Sequence, residues 1–275
     1  RFDLALARAR LARRYAMVRP ELTPPGAAPT LLVEGGRLLP LEARCAARGA
    51  AYWPLDLALA VPVAVIAGAN MGGKTVALAT VGFLQALAQL GFFAPARRLR
   101  TTFYDHLACV GGHRDEAGAR VEGLSSFGLE VDQLVNVWRR LDHGERTLVL
   151  IDELARTTSS TEAAALLTAV LGALAARGDV TAALSTHVVE LGLPAAGVAC
   201  FRMAGLGAGG LERLLAGGGG ADLAARVRRI NDHMTYRLDP AADLAPTREA
   251  LGIAEILGLD ARLVRAARQH LGGAL

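Results

Sequence analysis

Lysine is almost absent from this chain of 275 residues. Lys74 is the single lysine, so every other cation among the 30 Lys and Arg side chains is an arginine. Because alanine is also abundant, this bias is typical of a GC-rich genome that replaced lysine by arginine wherever the chemistry allowed. The formal net charge of +4 and the isoelectric point near 9.3 therefore say little about nucleic acid, although an arginine surplus is compatible with phosphate binding.

Long hydrophobic runs, aromatic residues and closely spaced cysteines are scarce as well. The longest apolar stretches, such as Val61–Ala67 and Ala163–Ala176, are shorter than the roughly 20 residues of a membrane-spanning helix, so we expect no membrane association. The cysteines (Cys45, Cys109 and Cys200) are far apart, which argues against a disulfide framework or a zinc site and favours the reducing cytoplasm. Hydrophobic residues still make up 52% of the chain, with a mean hydropathy of +0.32, so a sizeable core is expected.

The first 30 residues differ in pattern from the rest. Apolar residues spaced among arginines predict a helix within residues 2–19, and four prolines then end it (Pro20, Pro24, Pro25 and Pro29). We therefore predict a separate N-terminal helix and proline-rich linker over residues 1–30 and a main domain over residues 31–275. Short apolar runs between Leu31 and Ala67, broken by glycines and prolines, predict strands with tight turns.

Strand-like and helix-like segments alternate beyond residue 60. The strands are predicted at Val61–Ala67, Thr147–Ile151 and Val180–Leu184, and the helices at Thr75–Leu90, Val131–Leu141, Thr161–Arg177, Thr247–Leu257 and Asp260–Leu271. This alternation predicts an α/β fold with a mostly parallel central sheet flanked by helices. Two glycine clusters within Gly205–Gly220 predict a flexible excursion at the surface.

One glycine-rich segment matches a phosphate-binding loop in every position. The segment Gly68-Ala69-Asn70-Met71-Gly72-Gly73-Lys74-Thr75 fits G-x-x-x-x-G-K-[ST] and lies between an apolar strand and a helix, as the motif requires. Its glycines let the backbone N–H groups, as far as Val76 in the helix, face the oxygens of a triphosphate such as ATP. Lys74 would place a point charge between the β- and γ-phosphates, where the fork of an arginine cannot substitute, and Thr75 would bind Mg²⁺. The alternative is a glycine-rich turn that caps a helix.

Two acids follow the apolar run that begins at Thr147. A buried parallel strand there would place Asp152 and Glu153 at the carboxyl edge of the sheet, where α/β folds bind ligands. Asp152 would then hold Mg²⁺, directly or through water, and Glu153 would act as general base on the attacking water. Because an Asp-Glu pair after a strand is often only a solvated turn, this assignment depends on the glycine-rich segment.

Three further polar positions are candidates. His187 follows the strand predicted at Val180–Leu184, where it would sense the γ-phosphate or be an ordinary histidine near a helix start. Ser125 and Ser126 precede a helix and would be N-caps in the plainest interpretation, but neither has an acid three residues later, so no capping box supports it. Ser159 and Glu162 do fit a capping box.

Together these segments resemble the ATPase domain of the MutS family, an ABC-type P-loop ATPase. GANMGGKT is similar to the phosphate loop of that family, LIDELARTTSSTE to its LIDELGRGTST segment, EGLSSFGLEV to its signature segment and ALSTHVVEL to its histidine switch. MTYRL and ALGIAEILGLDARLVRAAR are similar to the end of the domain, so the resemblance spans roughly residues 31–271.

The resemblance implies an enzyme that hydrolyses Mg-ATP between two subunits and so opens and closes a homodimer. Asn70 would then touch the γ-phosphate, Ser125 would reach the nucleotide held by the second subunit, and residues 1–30 would be the end of a lever or clamp region. Fewer than 70 residues precede Gly68 and no Phe-x-Glu wedge motif occurs, so we expect no mismatch-reading domain. Ala155 and Thr157 stand where the repair proteins usually have glycines.

Three functions stay open on these grounds. The first is the motor of a DNA mismatch repair or recombination protein, with non-specific DNA as partner. The second is an ATP-dependent reactivating factor for a cobalamin-dependent lysine or ornithine aminomutase, with the mutase or a second small subunit as partner, because DELARTTSS resembles short MutS-like proteins associated with such a mutase. The third is a nucleotide-gated dimerisation module with little turnover.

Overall fold

A computed structural model describes residues 2–24, 26–68, 71–112, 125–188, 191–193, 196–207, 209–216, 222–244 and 249–272. Within these ranges the strands are β1 (Glu21–Leu22), β2 (Leu31–Gly36), β3 (Leu55–Leu59), β4 (Val63–Ala67), β5 (Arg98–Thr101), β6 (His106–Gly111), β7 (Thr147–Asp152), β8 (Val180–Ser185), β9 (Val198–Gly205) and β10 (Thr235–Ala241). The helices are α1 (Phe2–Arg14), α2 (Leu39–Ala47), α3 (Lys74–Gln89), α4 (Ser126–Asp142), α5 (Ser160–Ala175), α6 (Gly210–Ala216), α7 (Leu223–His233), α8 (Ala250–Leu257) and α9 (Ala261–Gly272). The fold is mixed α/β.

The larger sheet has six strands in the order β10-β9-β4-β8-β7-β6. Strands β9, β4, β8, β7 and β6 are parallel to one another, and β10 adds an antiparallel edge. β4 and β8 are buried along their whole length because helices cover both faces of the sheet. The predicted mostly parallel central sheet is thus confirmed for this sheet, and its buried strands read as continuous apolar runs.

Successive residues of each central strand pack on opposite helices. Ala64 and Ile66 of β4 share a core cluster with α3, whereas Val63 and Val65 share another with α4 and α5. This division follows from the period of two in a strand, which sends neighbouring side chains to opposite faces. The helix that follows the glycine-rich segment is therefore fixed against one face, and the helix that begins at Ser126 against the other.

A second sheet of four strands, in the order β1-β5-β2-β3, was not distinguished by the sequence pattern. Its pairs are antiparallel except for β1 with β5. Its buried apolar side chains belong to the same core cluster as α3 and the Ala64 and Ile66 side chains of β4. Gln85 of α3 joins the layers, since its Oε1 accepts from Thr101 Oγ1 at 2.6 Å and its Nε2 donates to the Thr102 carbonyl at 2.9 Å. These bonds satisfy a polar side chain that is only 1% exposed.

Two local predictions are wrong. The region predicted as strands and turns contains the helix α2, because Pro40 lies in its first turn, where proline favours a helix instead of ending it. The predicted flexible excursion after Gly205 contains the helix α6, whose Leu214 is 2% exposed and packs with Leu206, Ile230 and Ile253. Residues 208 and 217–221 of this stretch lie outside the described residues.

The N-terminal helix attaches to the main domain through few contacts. Arg8 donates to the Leu90 carbonyl at 2.7 Å and lies over the ring of Phe92, and a bridge pairs Val18 with Ala94. α1 itself has no buried residue. The domain boundary at residue 30 stays a prediction. Among the described helices, none is both long and apolar enough to cross a bilayer.

Candidate functional site

The carboxyl ends of three parallel strands bring the predicted site residues together. Asp152, the last residue of β7, is in register with Ser185, the last residue of β8, and Ser185 is in register with Ile66 of β4 on its other side. Gly68 follows β4 directly. The edge predicted to bind a ligand is therefore formed by segments that lie more than 80 residues apart in sequence (β4 and β7) or about 30 apart (β7 and β8).

The glycine-rich segment has the backbone conformation that its composition suggests. Gly68 has a φ of +143° and Gly73, the N-cap of α3, a φ of +93°. A Cβ at Gly73 would lie 3.0 Å from Tyr236 Cδ1, so this position requires glycine for space as well as for conformation. No side chain caps α3, which leaves backbone N–H groups of its first turn available to an anion. Ala69 and Asn70 lie outside the described residues.

Lys74 is the most deeply buried cation among the residues that the structure describes. It is 4% exposed, its Nζ donates to the Gly68 carbonyl at 2.9 Å, and the same atom lies 3.6 Å from Glu153 Oε1. A buried ammonium group is tolerated only with such partners, because desolvation of an isolated charge is costly. The pair places the single lysine of the sequence next to the predicted general base.

Asp152 accepts two hydroxyl hydrogen bonds on one carboxylate oxygen. Thr75 Oγ1 donates to Asp152 Oδ1 at 3.2 Å and Ser185 Oγ donates to the same atom at 2.5 Å. Thr75 and Asp152 are the two predicted Mg²⁺ ligands, and their oxygens are adjacent. Ser185 was missed by sequence reasoning, and only the register between β7 and β8 would have revealed it.

The turn after β7 is held in an uncommon conformation. Glu153 has a φ of +53° and Ala155 a φ of +60°, in the left-handed region that residues other than glycine seldom adopt. The Glu153 N–H donates to both the carbonyl and Oγ of Ser185 at 3.2 Å, and Arg156 Nη1 lies 3.9 Å from Glu153 Oε2. A glycine would adopt the left-handed conformation of Ala155 without steric cost.

Ser125 has a partner within its own chain. Its Oγ accepts from the Gly128 N–H at 3.1 Å, so it is the N-cap of α4, as in the plainest interpretation of the sequence. An N-cap needs only the hydroxyl, not an acid three residues later. At α5 the predicted capping box is confirmed in its essential bond, since Ser159 Oγ accepts from the Glu162 N–H at 3.3 Å. The hydroxyls of Ser159 and Thr158 in turn lower the pKa of Glu162.

Lys74, Thr75, Asp152 and Glu153 line one large cleft of about 2630 Å³. His187 lies on its wall and is exposed, near Asp152 and Glu153 as predicted from strand order. A second wall, which sequence reasoning missed, is aromatic and includes Tyr52, Trp53 and Tyr236. Burial raises the pKa of both tyrosines, so their phenols stay neutral at physiological pH. α7 contributes a third wall with an exposed arginine, Arg228.

The same segments are those that match a known family. The sequence model of MutS domain V matches residues 64–205, a little over half of the chain. The chain belongs to the MutS family. That match runs from β4 to the end of β9 and so includes Lys74, Asp152 and Glu153, while α6 and α7 lie beyond it.

Individual relatives in the MutS family agree with this match. The DNA mismatch repair protein MSH3 of Chaetomium globosum is 30% identical over 269 residues, 95% of this chain and 22% of the relative. An endonuclease MutS2 of Thermomicrobium roseum is 34% identical over 282 residues, 98% of this chain and 31% of the relative. The DNA mismatch repair protein MutS of Thermus aquaticus is 34% identical over 196 residues, 70% of this chain and 22% of the relative. The chain thus spans less than a third of the length of these MutS proteins.

Proposed function

We propose that this MutS-family chain is an ATPase of the ABC type that binds Mg-ATP at the carboxyl edge of its central sheet and hydrolyses it to ADP and phosphate. The proposal is carried by two neighbouring contacts at this edge. Lys74 Nζ lies 3.6 Å from Glu153 Oε1, and Thr75 Oγ1 donates to Asp152 Oδ1 at 3.2 Å. A buried cation, an uncapped helix N-terminus and two carboxylates in one cleft are the parts that phosphoryl transfer to water requires.

Each group has a chemical role in that reaction. Lys74 and the first N–H groups of α3 bind the negative charge of the triphosphate, and Lys74 balances the charge that develops during transfer. The Glu153 carboxylate accepts a proton from water as the water oxygen bonds to the γ-phosphorus and the bond from that phosphorus to the β–γ bridging oxygen breaks. His187, which lines the same cleft, would contact the γ-phosphate.

The oxygen donors fit a magnesium ion. Thr75 Oγ1 and Asp152 Oδ1 are hard ligands that already lie side by side, and Mg²⁺ typically takes one or two such protein oxygens together with substrate phosphates and water. Within the described ranges no group of three or more His, Cys, Asp or Glu side chains forms a complete cage for a metal. When bound with the nucleotide, the ion neutralises phosphate charge and orients the transferred group.

The proposal includes a second copy of the chain. Ser125 and Ser126 at the start of α4 are exposed, and Ser126 lies on the wall of the cleft. In a two-fold dimer each copy would present this helix start to the nucleotide of the other, which would exclude water from the γ-phosphate. ATP would then stabilise the dimer and hydrolysis would release it.

The target on which such a motor acts is a separate part of the proposal. The names of the relatives, DNA mismatch repair protein and endonuclease, favour DNA. The second candidate is a partner enzyme such as a cobalamin-dependent aminomutase, favoured by the segment Asp152–Ser160, in which Ala155 replaces glycine at a left-handed position. ATP-dependent recovery of an inactivated aminomutase on addition of the chain would support the second candidate, and DNA-stimulated ATPase activity the first.

The test of the ATPase itself is phosphate release under single-turnover conditions, with protein in excess over ATP and Mg²⁺ present. We expect release by the wild-type chain and none above background for Lys74→Ala. Equal release by both proteins would trace the activity to a contaminant and refute the proposal.

A further inference from the structure

One face of α4 carries a row of polar side chains that contact the loops around the two acids. Ser126, Glu130 and Gln133 stand at positions i, i+4 and i+7, which align on one side of a helix. Ser126 Oγ lies 3.3 Å from Thr157 Oγ1, Glu130 Oε2 accepts from the Ala155 N–H at 2.8 Å, and Gln133 Oε1 accepts from the Gly111 N–H at 2.9 Å. All three contacts fall on loops at the carboxyl edge of the central sheet.

The central contact holds the strained turn that contains Glu153. Left-handed residues other than glycine are strained and persist only where the surroundings fix them. Ala155 is such a residue, is 1% exposed, and its N–H finds its hydrogen-bond acceptor in Glu130. A carboxylate that accepts from a buried backbone N–H makes a stronger bond than a neutral acceptor does, because the bond is charge-assisted.

The outer contacts support the same turn from either side. Gly111 has a φ of +72°, and a Cβ there would collide with the carbonyl oxygen of Asp152. The Gly112 N–H donates to that carbonyl at 3.1 Å. Gln133 therefore fixes the segment that packs directly on the backbone of Asp152, while Ser126 meets the turn at Thr157.

We propose that Glu130 is a positioning residue for Glu153: through the Ala155 N–H it sets the turn that aims the general base. This inference rests on the ATPase function proposed above. It adds a link between the two sites of the dimer, because α4 begins at Ser125 and Ser126, the residues that would meet the nucleotide of the partner copy. A displacement of the helix start on dimer closure would reach the turn of Glu153 through the Ser126, Glu130 and Gln133 contacts.

The position of α4 does not depend on Glu130. Leu134, Val137 and Leu141, in the turns that follow Glu130, are at most 8% exposed and anchor the helix in the core. Removal of the Glu130 carboxylate therefore leaves the helix docked and withdraws only the acceptor of the Ala155 N–H. This separation makes the role of Glu130 testable without loss of the fold.

The experiment compares Glu130→Ala, which loses the acceptor, with Glu130→Gln, which keeps an acceptor oxygen in the same place. Glu145→Ala is the matched control, since Glu145 pairs only with Arg140 on the surface beyond the end of α4 among the contacts that the structure describes. We measure the ATP dissociation constant, the single-turnover rate of phosphate release, and hydrogen exchange of the Ala155 amide without nucleotide.

We expect Glu130→Ala to slow phosphate release by about 10- to 100-fold with ATP affinity within about threefold of wild type, since a misplaced catalytic group lowers the rate without loss of binding. Its Ala155 amide should exchange at least about fivefold faster, as expected for the loss of one hydrogen bond. Glu130→Gln should recover most of the rate and of the protection, and Glu145→Ala should match wild type in all three measurements.

The outcomes separate this inference from the proposed function. A wild-type chain that releases no phosphate refutes the ATPase function itself. An active wild type with Glu130→Ala equally fast refutes the positioning role, even if the Ala155 amide exchanges faster. A Glu130→Gln variant as slow as Glu130→Ala, with its Ala155 amide still protected, refutes the hydrogen bond as the means of positioning.

Discussion

Lys74 and Glu153 form an ion pair in which the cation is buried and the carboxylate is partly exposed, with Nζ 3.6 Å from Oε1. The two residues have opposite tasks in the proposed reaction, one to bind phosphate and the other to activate water. A triphosphate at Lys74 competes with Glu153 for the same ammonium group. Nucleotide binding and orientation of the base are therefore linked through a single contact.

The first prediction concerns this contact. Glu153→Gln should bind ATP at least as tightly as the wild type, because Lys74 is released from its carboxylate partner, and should hydrolyse it about 10²- to 10⁴-fold more slowly for lack of a base. Lys74→Arg should fail to bind ATP as Lys74→Ala does, because a planar guanidinium does not replace a point charge in this buried position. Nucleotide affinity and single-turnover phosphate release check both statements, and unchanged hydrolysis in Glu153→Gln would show that another group is the base.

The second prediction concerns the oxygen cluster at Asp152. Ser185→Ala removes the hydroxyl that donates to Asp152 Oδ1 at 2.5 Å and accepts from the Glu153 N–H, so it should slow hydrolysis by about tenfold. Asp152→Asn should instead raise the Mg²⁺ concentration needed for half-maximal activity, because it withdraws an anionic ligand. Titration of Mg²⁺ at saturating ATP distinguishes the two effects, and an unaltered Mg²⁺ requirement in Asp152→Asn would remove Asp152 from the metal site.

The sequence allowed the main elements of this site to be predicted because parallel strands end at a common edge. Once Gly68–Thr75 and Asp152-Glu153 were each assigned to the end of a strand, their proximity followed without knowledge of strand order. Ser185 and Glu130 could not be found in this way. Their contacts depend on which strand is the neighbour of β7 and on how α4 is rotated about its axis, both of which are set by tertiary packing.

The difference between local pattern and tertiary packing also explains an error in the predicted fold. α6 is a helix of seven residues between glycines, too short to be stable alone in spite of its helix-forming residues. It forms because Leu211 and Leu214 complete a small core with residues of α7 and α8. The N-cap at Ser125 was one of the interpretations left open by the sequence, and it forms without the acid of a capping box. A single hydroxyl satisfies the first turn of α4.

The third prediction is a dependence of stability on pH at the surface pair of Arg177 and Asp179. The hydrogen bonds from Arg177, at 2.8 Å and 2.9 Å, hold the pKa of Asp179 below its ordinary value. A carboxyl with a lowered pKa in the folded state contributes stability that is fully present above its unfolded pKa of about 3.9, and that is lost as the pH falls through the folded pKa. Asp179→Asn should therefore lower the free energy of unfolding by about 1 kcal/mol at neutral pH, with the difference from wild type shrinking below about pH 4.

Urea unfolding between pH 3 and pH 7 measures this difference. Asp142→Asn is the control, because Asp142 is 69% exposed on its side chain and lies 3.9 Å from the same guanidinium, so its removal should have a smaller effect. A difference between Asp179→Asn and wild type that grows as the pH falls would have the wrong sign and contradict the assignment.

The fourth prediction concerns DNA. With a net charge of only +4, this chain should bind duplex DNA weakly and lose that binding steeply with added salt. It should also bind matched and mismatched duplexes equally, because phosphate contacts carry no information about the base pair. Gel-shift titrations at two salt concentrations check this, and a mismatch preference that survives in high salt would overturn it.

The last prediction is that ATP assembles two copies in which Ser125 of each completes the site of the other. Because Ser125 caps α4, a test variant must preserve the cap. Ser125→Asp does so, since aspartate is as good an N-cap as serine, yet it would place a negative charge against the triphosphate of the partner copy. Ser125→Ala should lose about 1 kcal/mol of stability through the cap alone. Ser125→Asp should retain the wild-type melting temperature and lose ATPase activity.

Mixing Ser125→Asp with Lys74→Ala then decides between a site within one chain and a site shared by two. A mixed dimer has one site with both lesions and one site with neither, and half of the dimers in an equal mixture are mixed, so about a quarter of wild-type activity should return. A mixture of Glu153→Gln with Lys74→Ala is the control. Each site takes Lys74 and Glu153 from the same chain, so in a mixed dimer every site carries one of the two lesions and none is intact. Absence of recovery in both mixtures, with Glu153→Gln monomeric in ATP and Mg²⁺ by light scattering, would refute the shared site. Recovery in the control as well would show that Lys74 and Glu153 of one site come from different chains, which contradicts the proposed arrangement.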